Sequence, residues 1–143
     1  MKRTLTFGAL TAIIIGVLVA YQVSFKDHDD TADIEAAHKL NCEEVVQEFL
    51  DDETAATAKY VDQILEINGP ILAIERTDQQ ITSMKISMDE LYVVNATLQN
   101  PFEGELEESS EIVVKGVCSG FLGDAESMLP GGVVELKRGS IIK

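Results

Sequence analysis

One residue of a type able to act as a nucleophile in this 143-residue sequence is Cys118, set in EIVVKGVCSGFLGD between Glu111 and Asp124. A thiol becomes a nucleophile only when a neighbouring base or positive charge draws off its proton. The two histidines, His28 and His38, both stand early in the chain, far in sequence from Cys118. Carboxylates are plentiful: Asp27, Asp29 and Asp30 flank His28, Asp51, Asp52 and Glu53 are consecutive, and Glu105, Glu107, Glu108 and Glu111 are closely spaced. Oxygen ligands of this kind suit calcium, but a metal needs them to converge from a fixed frame, and acidic runs ordinarily form solvated faces. These types and spacings predict no catalytic residue, no metal site and no other cofactor, so the expectation is a binding protein and not an enzyme.

Any site must be positioned by the elements around it. Asn41 followed by Glu44 has the spacing of a helix N-cap, and Val45, Val46, Phe49 and Leu50 recur at helical intervals. Asp51 and Asp52 should interrupt that helix, and ETAATAKYV should start a second one with Tyr60 and Val61 turned inward, so residues 41–63 form a helical segment packed on the rest. From Ile64 the period changes. ILEINGPILAIER reads as a long strand bent at Gly69 and Pro70. In ITSMKISM, Met84, Ile86 and Met88 share one face while Ser83, Lys85 and Ser87 share the other. Asp89 and Glu90 turn the chain into LYVVNATL, QNPFEGELEESSE allows one or two helical turns near Phe102 to Leu106, and two further strands follow. Three strands, a short helical connection and two strands is the order of the OB-fold, a five-stranded Greek-key barrel, here over 64–143. The fold class is thus mainly β, with one or two short helices before the barrel. Gly116 and Gly120 let the fourth strand coil around such a barrel, which accounts for the glycines around Cys118 without an active site.

Charge and hydropathy set the address. Residues 5–25, LTFGALTAIIIGVLVAYQVSF, carry no charge, and at about 1.5 Å per residue they match a hydrocarbon core of roughly 30 Å. Lys2 and Arg3 precede this run, and all 25 Asp and Glu follow position 26 with 8 of the 11 Lys and Arg. The positive-inside rule then predicts a cytoplasmic N-terminus at 1–4, a transmembrane anchor at 5–25, an acidic tether at 26–40 and a domain outside the cytoplasm. The acidic body works against nucleic acid, whose phosphates recruit clustered Lys and Arg. OB barrels that bind single strands place aromatic and basic side chains on strands two and three. Here that face offers Tyr92 and Lys85, which are the candidate binding residues.

In DDETAATAKYVDQILEINGPI, with Ala55, Ala58, Lys59, Tyr60 and Ile64 to Gly69, and in IVVKGVCSGFLGD, with Val114 to Phe121 and Asp124, the chain resembles the tRNA-anti-like OB-fold proteins, a group of small bacterial proteins. The resemblance runs over 41–143 and implies an OB barrel behind an N-terminal hydrophobic segment. It implies little about activity, because a fold does not fix a function. Members often carry a second cysteine in the last strand; this chain has Gly139 and Ser140 there, and its other cysteine is Cys42. Two states are open: a Cys42–Cys118 disulfide formed outside the cytoplasm, or a buried apolar Cys118 with a thiol at Cys42. The functional expectation is a membrane-anchored module that contacts a protein or another envelope component, and the alternative is a single-stranded nucleic-acid-binding OB domain.

Overall fold

The computed structural model describes residues 30–87, 89–123 and 131–142. The expected segments 1–4 and 5–25 lie outside the described residues. Among the described residues, no helix is long and apolar enough to cross a membrane.

The order is β1 (His38–Asn41), α1 (Cys42–Asp51), α2 (Glu53–Tyr60), β2 (Ile64–Thr77), β3 (Gln80–Ile86), β4 (Tyr92–Phe102), β5 (Glu111–Gly123) and β6 (Gly132–Ile142). The helices start where the sequence provides caps. Asn41 Oδ1 accepts the Glu44 N–H at 2.8 Å, and Asp52 ends α1 through its own N–H to the Glu48 carbonyl while its side chain accepts the Ala55 N–H that opens α2. The expected break at Asp51–Asp52 is therefore one residue that serves both helices.

β2 pairs antiparallel with β3 and with β5, β3 with β4, and β5 with β6, while β4 and β6 run parallel and close the ring. This is the OB connectivity. Inward side chains such as Leu65, Ile67, Met84, Val94, Cys118 and Leu136 are fully buried and fill the barrel. β5 turns where its glycines stand: its register with β6 slips between Lys115 and Val117 and again between Cys118 and Gly120, and Gly120 takes φ 131°.

Three expectations change. β2 is one strand through Gly69 and Pro70, where its antiparallel partner changes from β5 to β3, and the irregularity falls just beyond, in the register slip between Ile71 and Ala73. Gly69 is needed for a different reason: a Cβ there would stand 2.6 Å from Cys42 Sγ and 2.9 Å from Ile86 Cγ2. The helical turns near Phe102 to Leu106 are absent, since β4 continues through Phe102 and the connection 103–110 holds only turns. Glu103 and Glu107, or Glu105 and Glu108, would repel one another at helical spacing, and Gly104 adds the entropy cost of glycine.

The third change concerns the tether. Its described part, 30–40, is strapped across the outside of the barrel. Asp30 Oδ1 accepts from Ser140 Oγ at 2.7 Å, Thr31 Oγ1 donates to Gln99 Oε1 at 3.1 Å, and Lys115 Nζ donates to the Ala32 and Ile34 carbonyls, both at 3.0 Å. Thr31 is fully buried. The strap then passes its Ala37 N–H to the Ile64 carbonyl and becomes β1, parallel to the first half of β2.

Candidate functional site: the groove beside α1

α1 carries apolar residues on one side because Cys42, Val45, Val46 and Phe49 follow the helical repeat, and all four are buried. Phe49 stacks on Phe121 of β5 with ring centroids 5.5 Å apart and lies 6.0 Å from Tyr60. These contacts seat α1 across the barrel end where β4 and β6 begin. Glu43, Glu44 and Gln47 are left facing out.

The turn between β3 and β4 stands next to that outer edge of α1. Ser87 Oγ accepts the Asp89 N–H at 2.9 Å, Asp89 Oδ1 accepts the Leu91 N–H at 2.6 Å, and the Leu91 carbonyl accepts the Gly132 N–H at 2.9 Å. Between the helix and this clasped turn runs an open groove of about 580 Å³. Val46, Leu50 and Tyr92 give it an apolar floor, and Glu43, Glu44 and Asp89 line it with carboxylates. Cys42 lies at its inner end, buried against Gly69.

The expected pair, Tyr92 and Lys85, is not brought together. Tyr92 shares the inward phase of Val94 and Ala96, is half-buried and belongs to the groove, whereas Lys85 lies between the inward Met84 and Ile86 and points to the opposite side of the sheet. Lys85 stands opposite Ala73 and Asn95, and Asn95 donates to Glu135 at 2.9 Å. One row farther along, Ser83 donates to Glu75 at 2.7 Å. The outer face of β3 and β4 therefore carries short polar side chains and one lysine, with Glu75 of β2 and Glu135 of β6 hydrogen-bonded to it from the neighbouring strands. Every described Phe and Tyr is buried or half-buried.

The cysteines form no disulfide and are both buried. Cys118 is tied by its backbone to Gln63 and faces Leu136, while Cys42 sits at Gly69. Six residues of β2 separate those neighbours, on the order of 20 Å of strand, and a disulfide needs Cα atoms within about 7 Å. Burial pushes the Cys118 thiol's pKa up, which keeps it protonated and unreactive. Among the described residues, no three His, Cys, Asp or Glu side chains gather around a common point. Asp52 is occupied as a helix cap, and Asp51 accepts from Gln47.

The sequence identified both walls of the groove, through the Asn41 cap and the Asp89–Glu90 turn, but not their meeting. That depends on Gly69 admitting Cys42 and on Phe49 finding Phe121, neither of which has a local signal.

A sequence model of the tRNA_anti-like family matches residues 1–129. No curated protein matches the chain. A solved structure of a proposed nucleic acid-binding lipoprotein from Klebsiella pneumoniae is similar to it at 14% identity and a TM-score of 0.47, over 82% of this chain and 100% of that one.

Proposed function

The chain belongs to the tRNA_anti-like family, and from that premise we propose that it is a membrane-anchored OB-fold binding module, held by residues 5–25 with its barrel outside the cytoplasm. Its partner in this reading is a protein or another envelope component, and it performs no chemistry of its own. The observation that carries the reading is the groove beside α1, a built concavity with an apolar floor and polar walls of the kind that holds a ligand. The face that OB barrels use for single strands carries Glu75 and Glu135 around Lys85, a charge pattern that supports a partner other than a phosphate backbone. Cys118 is shut inside the barrel, which supports binding and not nucleophilic catalysis.

Two measurements test this. An alkaline phosphatase fused to the C-terminus should be active and a cytoplasmic fluorescent reporter at the same place dark; the reverse pattern defeats the topology. Fluorescence anisotropy of short single-stranded RNA and DNA, titrated with the full chain in detergent at low salt, should stay flat. Saturable binding that weakens steeply with salt would replace this reading with the nucleic-acid one.

A further inference from the structure

We propose that the groove beside α1 takes a basic peptide segment of a partner protein, in which a Lys or Arg stands next to an aliphatic side chain. The proposal rests on the binding-module reading and assigns its ligand.

Chemistry on both sides of the groove selects this occupant. None of the residues lining it is a Lys, Arg or His, whereas Glu43 and Glu44 on the helix wall face Asp89 on the turn. Two carboxylates elsewhere meet cations: Glu48 pairs with Lys59 at 2.7 Å and Glu66 with Lys39 at 3.4 Å. Among the described residues, Glu43 and Glu44 have no such partner. They stand in the first turn of α1, whose N-terminus favours their negative charge, and they present it where the surface is also concave. Val46, Leu50 and Tyr92 form the floor, and Leu91, 50% exposed beside Asp89, extends the apolar surface beyond it.

A charge alone would suit any cation, but an apolar floor between two acidic walls suits a chain whose aliphatic side chains lie down while its ammonium or guanidinium groups reach the carboxylates. Other occupants fit less well. A bare metal ion finds no three converging ligands among the described residues. A nucleic acid or an anionic lipid surface would meet like charge. A second copy of the chain, at a net charge of −14, would bring mostly carboxylates to carboxylates.

The test is fluorescence anisotropy of a labelled ten-residue peptide of alternating Lys and Leu, titrated with the full chain in detergent. The same peptide is run against Glu43→Gln/Glu44→Gln/Asp89→Asn and against Glu105→Gln/Glu107→Gln/Glu108→Gln, which removes as much charge far from the groove. A Glu–Leu peptide and a single-stranded DNA are the companion probes. The expected result is saturable binding of the Lys–Leu peptide alone, weakened about tenfold by the groove variant and less than about twofold by the distant one. Equal losses in the two variants would mean that net charge and not the groove does the binding, and would overturn this inference while leaving a binding module. Absence of saturable peptide binding also overturns it, and leaves the module to its own topology test. Saturable binding of the DNA would overturn both.

Discussion

At the scale of single residues, Tyr60 shows how a family motif can be structural. It ends α2, is fully buried, and makes an edge contact with His38 at 5.1 Å while Lys59 Nζ lies 4.6 Å over its ring. Lys59 also pairs with Glu48 of α1, and that hydrogen bond holds the Glu48 carboxyl below its usual pKa and the Lys59 ammonium above its own. AKY therefore joins α2 to α1 and both to the barrel. Glu48 and Lys59 lie beside the Tyr60 hydroxyl, yet it forms no hydrogen bond of ordinary geometry, and burial pushes the phenol's pKa up. A buried hydroxyl without a partner is a liability of about 1–3 kcal/mol. Tyr60→Phe should thus leave stability unchanged or raise it, whereas Tyr60→Ala should cost about 3–5 kcal/mol through the cavity it leaves. Urea unfolding of the full chain in detergent measures both; a loss above about 1 kcal/mol for Tyr60→Phe would mean that Glu48 accepts from the hydroxyl.

At the scale of elements, the strap is what sequence reading could not supply. The helices and strands were legible because their signals are local: the Asn41 and Asp52 caps, the alternation from Ser83 to Ile86, the glycines of β5. The strap is acidic, its apolar residues are mostly alanine and show no strand or helix repeat, which are the marks of a loose segment, and what orders it is distant. Lys115 reaches carbonyls 83 and 81 residues away, and Ser140 reaches Asp30 across 110. The unseen half of the groove has the same cause, since Leu50 and Tyr92 meet only after the barrel has closed. Lys115→Met removes the donor from two carbonyls and should cost about 2 kcal/mol, with proteolysis between Ala32 and Ala37 as its local sign. The Asp30 end should also respond to acid. The Ala32 N–H, then the Ser140 hydroxyl, hold the Asp30 carboxyl below its usual value of 3.8. A lowered pKa means a stabilising contribution that is complete above that value and is lost as pH falls through the folded-state pKa. Hydrogen exchange at the Ala32 amide should accelerate only in that acid range, beyond the change seen at barrel amides; uniform acceleration would show that the strap does not open on its own.

At the scale of the whole molecule, the strap also orients the barrel if residues 5–25 are the anchor. Asp30 and Thr31 are pinned to Ser140 and Gln99, so only residues 26–29 separate the span from a fixed point on β4 and β6. Extended chain covers at most about 3.5 Å per residue, which holds that point within roughly 18 Å of the end of the span. Tyr92, at the groove, lies seven residues back along β4 from Gln99, or roughly 23 Å at strand spacing. With that anchor, the ends of β4 and β6 are expected to face the bilayer, and the acidic groove to face away from the anionic headgroups, open to partners. Fluorophores on Asn100→Cys and Gln47→Cys read this directly, because the native Cys42 and Cys118 are 3% and 0% exposed and escape labelling. In liposomes that carry nitroxide-labelled headgroups, the Asn100→Cys probe should be quenched strongly and the Gln47→Cys probe weakly. Equal quenching would mean that the strap lifts off and the barrel tumbles on its anchor. The opposite order would put the groove against the membrane, where a basic segment of a membrane protein, and not a partner in the surrounding space, would be the one to reach it.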